Sequence, residues 1–488
     1  MMLKIGSRRE CFFDDWLIDT RKTSAQFLLH SPVRRETVMT MDKPWEGDGS
    51  TMGCLVKDGE LYRLYYIGRR METEKTDLPD RYVHCMAESR DGLHWERPCL
   101  GMYNFRGSTD NNILSGRTSR MHGGMYVFVD TNPVCPPQER WRAIACAIGK
   151  DELFSVPSPD GIHFDYSKRT VIHSGGFYDS MHACFWDESI QKYRCYFRGH
   201  HFPAGYDGEL TDCHDRRAHS IRIRDINYVE SPDFVHWSEG RMIDQGDAED
   251  VQLYENKIVP YYRAPHMYIG FPTRYLCRKA WTENYDGLTG RDARLDRCAM
   301  EPRFGLAVTD CTFMCSRDGV RFHRYDEAFL RPGPENSRNW VYGDGYPAYG
   351  IFETPSPVPG AEPEISLLVP ENQWNQNIDL VRYSIRRDGF VSLHAGGRRE
   401  ETVVTKPFTF TGEELYANIS TSALGYLHFT LTAWDGSSVT SCEVFGDATD
   451  RRIPFPPGAV AALSGRTVTM QVRMRDADLY AIRFARSL

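Results

Sequence analysis

The stretch Ser231-Pro232-Asp233-Phe234-Val235-His236-Trp237, SPDFVHW, decides the fold because the chain keeps returning to it. Versions stand at SRDGLHW (Ser89 to Trp95), SPDGIHF (Ser158 to Phe164), SRDGVRF (Ser316 to Phe322) and, more worn, RRDGFVS (Arg386 to Ser392). Their first residues lie 69, 73, 85 and 70 positions apart. In such a phrase an Asp-Gly step supplies the positive-φ position of a tight turn. The Ser or Asp oxygens satisfy turn amides, and the aromatic begins a returning strand. Each copy therefore reads as a hairpin corner. Two strand-like runs precede each corner, MGCLVKDG and ELYRLYYIG before the first and MYVFVD and RWRAIACAI before the second. One period thus holds about four short strands. About 70 residues of four antiparallel strands, repeated five times, predict an all-β chain built on a five-bladed β-propeller. The alternative is a sandwich of unrelated hairpins.

Indexing each blade by its first strand places the openings at WEGDGSTMGCLV (from Trp45), HGGMYVFVD (from His122), DSMHACFWDE (from Asp179), DAEDVQLYEN (from Asp247) and GDGYPAYGIF (from Gly343). The long fourth period carries a polar insertion from Leu276 to Phe304, read as a surface loop near the channel mouth. Residues 1–40, with FFDDWLID and SAQFLLHSP, are expected to supply a strand that closes the ring. The propeller is assigned residues 1–395. From Gly396 the runs PFTFTGEELYANISTS and TVTMQVRMRDADLYAIRFA alternate apolar and polar residues without a blade period. Residues 396–488 are therefore expected to form a C-terminal β-sandwich, either structural or sugar-binding through Trp434.

Composition narrows the function classes. Hydrophobic residues at 41% and charged residues at 26% describe a folded chain rather than a disordered one. A net charge of -8 offers no basic face for phosphates, so neither nucleic acid nor a membrane surface is an expected partner. A neutral or polar small substrate fits better. The N-terminus has no apolar run of signal-peptide length, and no stretch of 18 apolar residues occurs, so the expected location is cytoplasmic. The 14 cysteines lack CxxC pairs and read as reduced thiols. No cofactor is expected. His182, His200 and His201 leave a channel divalent cation open, although their spacing is a weak metal signature and satisfied structural histidines explain it better.

The corner phrase, five periods and a C-terminal β unit resemble the furanosidase-type glycoside hydrolases: the invertase and levanase family (family 32) and the arabinanase and xylosidase family (family 43). The resemblance implies a glycoside hydrolase with a propeller catalytic domain and a β-sandwich. In the invertase family the nucleophile stands three residues after a Trp, and Asp48 follows Trp45 in the same way within WEGDGS. The family's acid residue is similar in position to Glu249 in Glu249-Asp250-Val251-Gln252. The stabilising Asp should open blade 2, where this chain departs from the pattern with His122-Gly123-Gly124 and places Asp130 later.

Hydrolysis of a glycoside needs a proton donor with a raised pKa and a second carboxylate as nucleophile or base, ~5 to 9.5 Å away depending on whether configuration is retained or inverted. Carboxylates do stand at the strand openings. The expected donor is Glu249 or Asp250, a neighbouring pair whose burial would drive their pKa values apart, or Glu371 in PENQW. The expected nucleophile or base is Asp48 or Asp344, with Asp179 orienting its partner. Substrate contacts are expected from Glu46, Trp45, His182, His266, Tyr268, Arg274, Tyr346 and Trp374. Each has a plainer alternative: Glu46, Asp48 and Asp344 sit beside glycines and suit turns, and Trp45 and Trp374 suit a core. Two other function classes stay open. A non-catalytic carbohydrate-binding propeller would use the same aromatics. A glycoside phosphorylase would need clustered Arg, Lys and His for phosphate, where these openings look acidic.

Overall fold

The computed structural model describes residues 2–49, 53–70, 82–116, 121–147, 149, 151–374 and 377–486, without the side chains of residues 122, 216 and 219. The chain is nearly all β. Five antiparallel sheets have four strands each. Three of them are consecutive in sequence: Cys54–Asp58 to Ile113–Gly116, Met121–Val129 to Thr170–Ser174, and Ala183–Asp187 to Arg241–Met242. The fourth joins Val259–Tyr261, Ala264–Gly270, Met314–Ser316 and Phe322–Arg324. The fifth takes Phe352–Thr354, Glu364–Glu371 and Ile378–Arg386, and its outer strand is Val33–Met41 from the N-terminal segment, paired from Ile378 opposite Met41 to Ser384 opposite Val33 with register shifts on either side of Val381. The strand that covers the last sheet's edge thus comes from the other end of the chain.

The starts of all five sheets meet. Cys54 pairs with Tyr349 in a parallel bridge, and its Sγ donates to the Val127 carbonyl at 3.1 Å. Tyr126 packs edge-on against Tyr349 with ring centroids 5.3 Å apart, and the Tyr349 hydroxyl donates to Met181 O at 2.9 Å. The Lys257 ammonium lies 5.6 Å from the centre of the same ring. Segments far apart in sequence are therefore delivered to one central region.

The corners form as the repeat predicts, and their chemistry is uniform. Each lies at the end of a third strand. Ser231 Oγ and the Asp233 carboxylate cap the turn: the amides of Val235 and His236 donate to Asp233 Oδ1 at 2.9 and 2.8 Å, and His236 Nδ1 stands 2.7 Å from Oδ2. The same bonds recur around Asp91 and Asp160, and the backbone bonds recur around Asp318. Position four of the phrase needs positive φ: Gly92 has +74° and Phe234, the one non-glycine among the first four, +67°. At Gly92 a Cβ would lie 2.3 Å from the Phe352 ring, so the close approach also requires glycine there.

Three expectations change. Leu276 to Phe304 is not a loop: it contains the helices Glu283–Gly287, Arg291–Met300 and most of Pro302–Leu306, packed over the buried Arg294, whose guanidinium donates to Gly305 O and Trp340 O at 3.1 and 2.9 Å. The fourth opening is displaced. Gln252–Leu253, within DAEDVQLYEN, belongs to a separate three-stranded sheet with Thr273–Cys277 and Ala307–Cys311, and the first strand of the four-stranded sheet is Val259–Tyr261. Finally, Leu3–Gly6, Glu10–Cys11 and Gln26–Leu29 join the ten-stranded C-terminal sheet, where Ile5, Phe12 and Ile18 share a core with Leu393, Phe408, Leu479 and Phe484. Alternating apolar residues at the N-terminus find their buried face in that sheet, not in the ring of sheets. Among the described residues no helix is long and apolar enough to cross a membrane.

Candidate active site

An arc of packed aromatic rings borders the central region, the candidate cup. Trp374 packs on Phe304 at 4.7 Å and on Tyr342 at 6.1 Å, Tyr342 on Tyr254 at 5.7 Å, and Tyr254 on Tyr275 and Tyr346 at 5.8 and 5.9 Å. The arc joins two of the expected carboxylates. At one end the Asp48 carbonyl accepts from Trp374 N at 3.0 Å. At the other, Asp179 stands close enough to Tyr254 to raise its pKa, and the neighbouring Ser180 Oγ donates to Tyr254 O at 3.0 Å. Asp48 and Asp179 are both half-buried, reachable from water yet shielded on one side.

Guanidinium groups complete the cup. Arg198 lies 4.2 Å and Arg224 5.2 Å from the Tyr254 ring centre, and Arg303 5.5 Å from that of Tyr342. Burial and Asp179 push the Tyr254 phenol up, but the positive field of Arg198, Arg224 and Arg303 outweighs them and holds its pKa below the ordinary value. The Tyr342 phenol, hydrogen-bonded to it, is driven well above by its own burial and by Tyr254. Two adjacent phenols beside three guanidinium groups make a polar, preorganised surface. The sequence signal for these arginines was present as RGH at 198–200 and RIR at 222–224, but no local motif marks them. The openings are thus not simply acidic, as the sequence had suggested.

The other expected site residues fall elsewhere. Glu46 is fully buried: Tyr66 OH donates to it at 2.6 Å and Arg97 Nε at 2.7 Å, so its carboxylate is occupied by a structural ion pair. Trp45 packs on Phe105 and donates to Asn112 Oδ1 at 2.9 Å. His266 faces Glu10 at 3.3 Å, and the buried Tyr268 donates to Asp187 Oδ2 at 2.5 Å, both away from the cup. His182 is buried at the centre, where burial and Arg198 lower its pKa to about 3 and keep it neutral. Tyr346 is buried in the wall, beneath the Lys257 ammonium at 5.2 Å. The Trp374 indole donates to Tyr342 O and is half-buried.

Glu249 and Asp250 are exposed, which removes the burial expected to separate them. With Arg274, Asp310 and Trp340 they line a cavity of about 940 Å³ beside the three-stranded sheet. Arg274 is held there by Asp310, at 2.9 and 2.6 Å. Asp250 lies 3.1 Å from His201 Nε2, whose Nδ1 is 2.6 Å from the buried Asp225. Hydrogen bonds to Asp225, opposed by burial and joined by those to Asp250, raise the His201 pKa to about 9. This clamp consumes Asp250.

Asp344 and Glu371 share a smaller cavity of about 140 Å³. Glu371 is committed to a bidentate pair with Arg34 at 2.9 to 3.2 Å and to Tyr383 OH at 2.7 Å. Asp344 is buried, and burial lifts its pKa to about 7 against the amide of Val341, which donates to Oδ2 at 2.8 Å. One carboxylate missed from sequence reaches the centre: Glu255, buried and paired with Lys257 at 2.7 Å. It occupies the true opening of the fourth sheet, so correct indexing would have found it. Among the described residues no three His, Cys, Asp or Glu side chains gather as a metal site.

No family model and no curated protein matches the chain. Solved structures that align with it include a family 43 arabinoxylan arabinofuranohydrolase from Bacillus subtilis at 10% identity, covering 93% of this chain and 100% of that one with a TM-score of 0.38. A fructofuranosidase from Schwanniomyces occidentalis aligns at 11% identity over 99% of both chains with a TM-score of 0.37. An N-acetylgalactosamine deacetylase from F. plautii aligns at 11% identity, over 74% of this chain and 94% of that one, with a TM-score of 0.41.

Proposed function

We propose that the chain is a glycoside hydrolase acting on a small glycoside or oligosaccharide, with the five four-stranded sheets as propeller blades and the C-terminal unit as a β-sandwich. The observation that carries this reading is the arc from Asp48 through Trp374, Tyr342 and Tyr254 to Asp179. Aromatic faces suit the C–H surface of a sugar ring, and two half-buried carboxylates at the ends of the arc suit the two roles that glycosyl transfer to water demands. In this reading Asp48 acts as nucleophile or base and Asp179 is the proton donor. Glu255 supports the centre through Lys257. A furanoside is the first substrate class to assay.

The test is a panel of aryl furanosides and pyranosides against the parent, Asp48→Asn and Asp179→Asn. Each amide variant is expected to lose about 10²- to 10⁴-fold in kcat with the fold intact. Hydrolysis by the parent that survives in both variants would remove the site assignment. No turnover of any glycoside by the parent would favour a non-catalytic sugar-binding propeller.

A further inference from the structure

The strands Lys192–His201 and Ile223–Ser231 pair antiparallel, with His200 opposite Arg224 and Arg198 opposite Ile226. Side chains alternate across a strand, so Arg198, His200, Arg222 and Arg224 share one face and His201 and Asp225 the other. The second face is neutralised, since His201 and Asp225 hydrogen-bond each other. The first is not. Arg198, Arg222 and Arg224 are each at most 9% exposed, yet none has a carboxylate within ion-pair distance among the described residues. Their protein bonds go to neutral acceptors: Arg198 Nε to Tyr254 O at 3.1 Å, Arg222 Nη1 to Cys213 O at 3.2 Å, and Arg224 Nη1 to Gln252 Oε1. His200 is buried beside them with Nδ1 unpartnered, and burial together with the three guanidinium charges lowers its pKa.

Buried cations without an ion-pair partner are costly. A fold keeps such an arrangement where an anion completes it. We propose that Arg198, Arg222, Arg224 and His200 form an oxyanion-binding floor to the cup, so that the ligand brings a carboxylate or phosphate group there. This deepens the glycoside reading and rests on it for the rest of the ligand. The oxyanion has two possible sources: the carboxylate of an acidic sugar residue, or inorganic phosphate bound beside a neutral sugar. The guanidinium fork suits both geometries.

The test is titration calorimetry of the full chain with D-glucuronate, D-galacturonate, inorganic phosphate and neutral D-xylose, repeated on Arg224→Gln and Arg224→Lys. At least one oxyanion is expected to bind the parent, about 10- to 100-fold more weakly in Arg224→Gln, with partial recovery in Arg224→Lys and a smaller loss for xylose than for the oxyanion. Uronate binding without phosphate identifies an acidic sugar, and phosphate without uronate identifies the free anion; either supports the proposal. Should Arg224→Gln fail to fold, the parent's titration in rising NaCl serves instead: affinity that falls with salt supports the floor. Absence of binding by uronates and phosphate alike at 10 mM on the order of weak-site affinities, or salt-independent binding, overturns it. The hydrolysis panel is independent of this outcome, so either reading can fail alone.

Discussion

The corners and the cup use charged groups in opposite ways. At the corner of the third sheet Asp233 has its carboxylate filled by two backbone amides and a histidine, all within three residues of itself. Those amides, with His236, hold its pKa below the usual carboxylate range. In the cup, Arg198, Arg222 and Arg224 come from two strands, lie buried, and bond only to neutral acceptors. The corner's charge is satisfied by its own turn and repeats because the turn repeats. The cup's charge is left unsatisfied by the fold and occurs once. The difference teaches that repeated acidic residues in this chain build structure, whereas the groups available for a ligand are those that break the repeat.

Four substitutions sharpen this contrast. The largest effect belongs to Asp179→Asn, expected to lower hydrolysis by two to four orders of magnitude while the thermal midpoint stays put, checked by steady-state kinetics beside a melting curve. Next is Glu46→Gln, a site residue by sequence and a structural one by geometry. Leaving the Arg97 charge without its buried partner is expected to cost about 3–5 kcal/mol in urea unfolding. A loss of activity with unchanged stability would return Glu46 to the site.

Asp344 tests burial through pH. Its folded pKa, raised to about 7 from 3.8, means that the folded chain holds a proton the unfolded chain has released between those limits. Stability therefore falls as pH rises from about 4 to about 7, by up to on the order of 4 kcal/mol. Asp344→Asn is expected to flatten that slope in unfolding curves measured across the range. An unchanged slope would mean that Asp344 is already ionised. The smallest effect is expected at a corner: Asp233→Ala should cost about 1–3 kcal/mol through the lost turn bonds and leave catalysis unaltered. Impaired turnover there would break the contrast outright.

The corners were legible because their bonds span two or three residues, so the motif contains its own partners. A ring-closing strand from the N-terminal segment was legible, but the runs singled out for it, FFDDWLID and SAQFLLHSP, pack with the C-terminal sheet, and Val33–Met41 closes the last sheet instead. The opening of the fourth sheet was not legible: a short strand, Gln252–Leu253, which pairs with Thr273–Cys277 in another sheet, precedes the real first strand. That displacement hid Glu255 and drew attention to the exposed Glu249 and Asp250. The arginine floor was hidden for another reason. Its partners are set by register across the segment 202–222, and alternation in RGH and RIR becomes meaningful only when the two strands are known to pair. The insertion at 276–304 looked like a loop because its helices carry few apolar residues and bury arginines instead.

The most direct test of the account is the position of a monosaccharide bound in a crystal of the protein. The account predicts a sugar ring against Tyr342 and Trp374, between Asp48 and Asp179, with any carboxylate or phosphate turned toward Arg224. A sugar held instead in the cavity beside Glu249 and Asp250, with the cup empty, would contradict it.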